Sequence, residues 1–292
     1  SSSFESIMKL CNLSTSSKGR AYMVKVNDEL TVLKQYELER TQKGLDTLEK
    51  IKSAIITLKE LNLNPLVQIH GLLQPTSKPN NRASIEYGVI TEYMAGGDLE
   101  EYINENSDAL TFAQRRLISS KLFNALDILH SNGLMHGNLK LKNCLLSNNR
   151  QEIKLADLLV MSQSPANSED LPLKELKFKA PELLNGEEAT NKSDIWSFGM
   201  CLLEIFRGGG KSKSSNSTFI FSPVSLNAEI EKVIEALVIG QDRKLQLKDL
   251  ISKCLAWDPK ERPEMKEILQ YGFFENVSES ILLEESFTEN IQ

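Results

Sequence analysis

Paired cysteines, clustered histidines, a long apolar run and an excess of positive charge are all missing from this sequence. Its four cysteines, Cys11, Cys144, Cys201 and Cys254, lie far apart without paired spacing. That fits reduced thiols in a cytoplasmic or otherwise intracellular protein better than a disulfide framework or a zinc site. The three histidines, His70, His130 and His136, have no metal-ligand spacing and read as structural. No apolar run approaches the roughly 18 residues of a membrane span, and no signal peptide is visible. A net charge of −6 argues against nucleic acid as the main partner. The one basic run, Arg207 to Lys213, reads as a solvated loop. The chain starts at Ser1 without Met, which predicts a fragment excised from a longer parent.

What is present is ordinary for a folded chain. Its 292 residues, 40% hydrophobic and 25% charged, suffice for one large domain or two small lobes. Residues 7 to 38 alternate as strands, broken by "STSSKG" and "NDE". Residues 43 to 61 change to helical spacing, with Leu48, Ile51, Ile55, Leu58 and Leu61 on one face. Two strand-like runs follow, 65–73 and 85–94, separated by the polar turn "QPTSKPNNRA". From Asp98 onward the pattern is mainly helical; residues 111–133 form a long amphipathic helix with Gly133 as its stop. A strand-rich front and a helical back predict two lobes with a cleft between them. "RGGGKSKSSNSTF" reads as a flexible insertion and residues 275–292 as an acidic tail.

The stretch "GLMHGNLKLKNCLL", residues 133–146, together with "IKLADLLV", "APELL", "KSDIWSFGMCLLEIF" and "WDPKERP", resembles the eukaryotic protein kinases in motif order and rough spacing, from about residue 7 to 274. The resemblance implies an α+β, bilobal protein-kinase-like fold: a small β-rich N-lobe (1–94), a larger α-helical C-lobe (95–274) and the tail. It also implies phosphoryl transfer from ATP, which needs held phosphates, a neutralising metal and a carboxylate to accept the hydroxyl proton.

Position by position, that apparatus is altered. The family's catalytic loop H-R-D-L-K-x-x-N reads His136-Gly137-Asn138-Leu139-Lys140-Leu141-Lys142-Asn143. Asn138 stands where the base Asp belongs, and a neutral amide cannot take a proton at ordinary pH. Lys140 is retained. Gly137 replaces an Arg that binds a phosphorylated activation loop. In the phosphate-covering loop, Ser14 and Ser16 take the first two glycine positions and Gly19 the third. Lys18 sits at the loop's aromatic position, and Ala21 replaces the Val over the adenine. Lys34 matches the phosphate-binding lysine, with Val32 crowding the adenine. Its helix Glu partner falls at Ala54, with Glu49 more than a turn away, so that ion pair is expected to be missing. The hinge is better kept: Thr91 is the gatekeeper, Glu92 and Met94 offer backbone contacts to adenine, Asp98 reaches the ribose and Leu145 lies under the ring.

Asn143 and Asp157 match the two metal ligands, and their oxygen donors suit Mg²⁺. D-F-G has become Asp157-Leu158-Leu159, and loss of the Gly weighs against a metal-directed Asp157. Glu182 and Arg262 match a buried ion pair, Asp194 the support of the catalytic loop, and Trp196 the start of a central helix. Leu58, Ile69, His136 and Leu158 are expected to stack as an apolar column. Ser162, Ser164 and Ser168 lie in a segment that reads as a partner-docking or phosphorylation site, or simply as a solvated loop.

A frame kept while its chemistry is lost implies a pseudokinase, with ATP as its nucleotide and signalling proteins or an active kinase as partners. A weakly active Ser/Thr kinase and an interaction domain that binds no nucleotide are the two alternatives.

Overall fold

The computed structural model describes residues 7–16, 19–78, 81–158, 173–207 and 222–277. Leu159, the three serines at 162, 164 and 168, Lys18, the run 208–213 and the tail beyond 277 lie outside the described residues.

Two compact units divide the chain. The first holds the described residues up to Met94, joined by Asp157 and Leu158. Its five strands are β1 (Lys9–Ser16), β2 (Gly19–Val26), β3 (Glu29–Glu39), β4 (Ile69–Lys78) and β5 (Asn81–Glu92), with helix α1 (Gln42–Leu61) between β3 and β4. They form one antiparallel sheet in the order β1-β2-β3-β5-β4. Alternation along β2, β3 and β5 directs Val24, Leu33 and Ile90 into a cluster with Leu73. The polar run 74–83 reads as a turn, yet most of it is strand. Both strands continue into it, with Lys78 paired to Asn81 and register shifts absorbing the irregular residues.

Helix α1 follows its sequence period closely. Thr41 caps its start by accepting from Gly44 N–H at 3.2 Å, and Asn62 ends it in a left-handed conformation with φ 42°. Leu48, Ile51, Ile55 and Leu58 are buried as expected, whereas Leu61, assigned to the same face, is 38% exposed. It lies in the last turn, where packing ends.

The second unit is helical: α2 (Leu99–Glu105), α3 (Phe112–Ser131), the hairpin β6 (Cys144–Leu146) and β7 (Ile153–Leu155), α4 (Leu173–Leu176), α5 (Pro181–Leu184), α6 (Asn191–Arg207), α7 (Pro223–Ala236), α8 (Gln241–Cys254) and α9 (Met265–Ile268). Thr111 and Gln114 form a capping box at the start of α3, and Gly133, at φ +71°, lies just past its end. Helix α6 is buried from Ser193 to Leu203, as a helix apolar on most faces must be. It starts at Asn191, not at Trp196 as the apolar run alone suggested, which places Asp194 in its first turn. Phe112, Phe206, Phe273 and Phe274 pack edge-on or tilted around one another beside it. All four cysteines are free, Cys11 exposed and the others buried. No helix among the described residues is long and apolar enough to cross a membrane.

Candidate functional site

In the first unit, the sheet register assembles one group of the expected residues. Ala21 pairs with Ser14 on one side and Lys34 on the other, Ser16 pairs with Gly19, and Val32 pairs with Thr91. Gly19 is required by close approach, since a Cβ there would lie 2.2 Å from the Gln35 carbonyl oxygen. Val32 and Thr91 are buried, 8% and 5% exposed. Glu92 N–H donates to the Gln68 carbonyl at 2.9 Å, and its carboxylate accepts from Gln68 N–H at 2.6 Å. Met94 is buried at the end of this unit. Leu58, Ile69 and Leu158 are buried here, while His136 is buried in the second unit.

Lys34 has a carboxylate partner, but not one from α1. Its ammonium donates to Asp157 Oδ1 at 2.7 Å, with the two side chains 20% and 30% exposed. Glu49 pairs instead with Lys52, one turn along its own helix. The Tyr36 hydroxyl donates to the same Asp157 oxygen at 3.2 Å, and its ring stacks on Tyr87 at 5.1 Å. Burial, followed by the Asp157 charge, holds the Tyr36 phenol well above its ordinary pKa, so it stays a donor. Asp157 adopts φ +59°, which an Asp tolerates better than a branched residue would. Sequence reading missed Tyr36, although a residue two past Lys34 on a strand points to the same side of the sheet. Replacing Tyr36 by Phe should destabilise the protein by about 1.5–3 kcal/mol, the worth of a hydrogen bond to a charged group. Urea unfolding checks this, and an unchanged midpoint would remove Tyr36 from the group.

In the second unit, the loop 136–143 is tied down from several sides. Asp194, 1% exposed, accepts from His136 N–H and Gly137 N–H, both at 2.7 Å, and lies 3.0 Å from His130 Nε2. Asn138 N–H donates to His136 Nδ1 at 3.2 Å, and Asn143 Nδ2 donates to the Asn138 carbonyl at 2.7 Å. Ala156 N–H donates to the Asn143 carbonyl at 2.8 Å, fixing the loop to the strand end before Asp157. Lys140 Nζ contacts Glu175 Oε2 at 2.8 Å. Leu145 and Asp98 form an isolated antiparallel bridge. The Asp98 side chain caps α2 by accepting from Glu101 N–H at 2.9 Å, a structural duty that the sequence reading, which gave it a ribose, did not foresee.

A third ion pair anchors this unit. Arg262 grips Glu182 through two parallel bonds of 2.7 and 2.8 Å, and Ser193 Oγ adds a third donor at 2.9 Å.

For a divalent cation, each unit holds one residue with hard oxygen chemistry of the right kind, Asp157 in the first and Asn143 in the second. Asn143 commits its amide nitrogen to the loop, which orients the side chain, and the Asp157 carboxylate accepts from Lys34 and Tyr36 on Oδ1. Taken one by one, their carboxylate and amide oxygens are the donor types that Mg²⁺ takes.

Comparison with known proteins identifies the family over most of the chain. A family model described as "Protein kinase domain" matches residues 14–274. Among curated relatives, the chain is 25% identical over 77% of its length to "Probable serine/threonine-protein kinase mkcF" of Dictyostelium discoideum, covering 33% of that protein. It is 27% identical over 89% of its length to "Serine/threonine-protein kinase PKH1" of Saccharomyces cerevisiae, covering 32% of it. To "Serine/threonine-protein kinase ATG1b" of Arabidopsis thaliana it is 24% identical over 85% of its length, covering 33%. The chain thus spans about a third of the length of these relatives.

Proposed function

The chain belongs to the protein kinase domain family, and from that premise we propose that it is a pseudokinase domain. It binds ATP, transfers phosphate poorly or not at all, and acts as a signalling scaffold or allosteric regulator through protein partners in the cell interior. Asn138 carries this reading. It lies in a loop whose backbone is held by Asp194 and Asn143, so the loop is built, but the side chain at the proton-acceptor position is an amide. An amide can hydrogen-bond a hydroxyl, yet its conjugate acid is far too strong to form at neutral pH.

The nucleotide contacts assigned to the first unit (1–94) are Ser14, Ser16, Gly19, Ala21, Val32, Lys34, Thr91, Glu92 and Met94. The second (95–274) contributes Asp98 and Leu145, and 275–292 is taken as a tail. Lys34 binds phosphate oxygens as a point charge. Asn143 and Asp157 would hold Mg²⁺, which when bound neutralises phosphate charge. Free cysteines support an intracellular setting.

Thermal unfolding with ATP or ADP, each with and without Mg²⁺, tests the binding half. Nucleotide at about 100 times its Kd stabilises by roughly 2.7 kcal/mol, a rise of about 5–10 °C for a domain of this size. The Lys34→Met variant should lose most of that rise. Radiolabelled ATP should give no transfer to the protein or to a generic Ser/Thr substrate. Transfer that disappears in Lys34→Met would instead establish a weakly active Ser/Thr kinase, a reading favoured by the Lys34–Asp157 pair. No rise at millimolar nucleotide would leave an interaction domain that binds none.

A further inference from the structure

Lys140 is an unusual cation for its surroundings. Its side chain is 15% exposed, and it sits in a loop where the residue two places earlier is a neutral amide. A half-buried ammonium without counter-charge is costly, so one must come from elsewhere. It comes from Glu175, itself 26% exposed, 35 residues later on the short helix α4, whose Oε2 lies 2.8 Å from Lys140 Nζ. Lys140 is extended, with φ −162° and ψ 158°, and Leu139 before it is buried, 1% exposed. Positions 138 and 140 are separated only by this buried Leu139, so the two side chains belong to one short stretch of the loop.

We propose that Glu175 is the relocated carboxylate of this loop: a positioning residue that supplies the counter-charge of Lys140 from α4, permits an amide at 138 and holds α4 against the loop. The inference rests on reading 138 as the acceptor position. It goes further, because it makes the loss at 138 one half of an exchange. A carboxylate restored at 138 alone would put two acids around one ammonium, which repel each other. Restored together with removal of Glu175, it would give Lys140 its partner back.

The test is a double-mutant cycle on the whole chain with Asn138→Asp and Glu175→Gln, read by thermal unfolding. Glu175→Gln should lower Tm by about 2–4 °C. Asn138→Asp in the original background should give no gain or a further fall. In the Glu175→Gln background it should raise Tm, recovering at least half of the loss. Equal shifts from Asn138→Asp in both backgrounds would overturn the proposal, as would an unchanged Tm in Glu175→Gln. If Glu175→Gln fails to accumulate folded, hydrogen exchange of Lys140→Met supplies the reading: amides 175–179 should lose protection at least tenfold, and unchanged protection overturns the proposal. None of these readouts needs nucleotide or turnover. A chain that transfers phosphate efficiently would defeat the pseudokinase reading and leave the cycle to judge Glu175 by itself.

Discussion

Replacing Arg262 by Ala is expected to cost about 3–5 kcal/mol of folding stability, the range for breaking a buried ion pair by removing one partner. The guanidinium is fully buried and spends its donors on Glu182 twice and on the carbonyls of Ala256, Lys192 and Trp257 at 2.8, 2.9 and 3.2 Å. It also lies over the Trp196 ring at 5.2 Å. Its removal orphans these acceptors and leaves the Glu182 carboxylate buried with Ser193 as its remaining side-chain donor. At about 2–4 °C per kcal/mol, Tm should fall by roughly 10 °C. Lys at 262 should recover only part, because an ammonium cannot form two parallel bonds with one carboxylate. Replacing both partners with apolar residues of similar volume should recover most of the loss, since no charge is then stranded. Urea unfolding of the three variants checks the order, and a loss under about 1 kcal/mol for Arg262→Ala would mean that the pair is solvated.

The same pair sets a pH dependence. Burial pushes the Glu182 carboxyl up, but the bonds from Arg262 and Ser193 together outweigh it and hold the group below its ordinary range. A carboxyl with a depressed folded pKa contributes stability that is fully present above its unfolded value, about 4.3, and is lost as pH falls through the folded pKa. The gap between the original chain and a variant with both partners apolar should therefore shift toward the variant below about pH 4.3.

Replacing Asp194 by Ala is the second large effect, expected at about 2–5 kcal/mol, because each orphaned buried N–H costs roughly 1–3 kcal/mol. The two amides are His136 and Gly137, and the His130 ring loses its contact as well. This variant differs from Arg262→Ala in where the damage is felt. The loop 136–143 should lose amide hydrogen-exchange protection beyond the general fall in stability, while the β-sheet unit should follow the global change alone. Asn at 194 keeps one acceptor oxygen and should retain about half of the protection. Uniform loss over both units would argue that Asp194 supports the whole fold and has no special hold on the loop.

Much of this was legible in the chain, and the reason differs by element. Helices α1 and α3 announce themselves through a 3.6-residue period and their caps, Thr41 and Thr111, all of which are local. The loop of Asn138 and the pair of Glu182 with Arg262 were legible by motif. The strand ends of β4 and β5 were not, because strand pairing recruited polar residues that alternation alone assigns to a loop.

The sequence by itself determined the inventory: an amide at 138, a lysine at 34, alanine at 54 and cysteines without spacing. Beyond the Glu182–Arg262 pair that its motifs name, only the tertiary structure decided which charges meet. Lys34 finds Asp157 123 residues away, with Tyr36 on the same oxygen; Lys140 finds Glu175; and Asp98 spends its carboxylate on a helix cap. A period or a cap is written within a few residues of itself and survives any arrangement of the rest. A long-range ion pair that no motif names depends on where strands and helices place two side chains to within an ångström, and no local pattern encodes that distance.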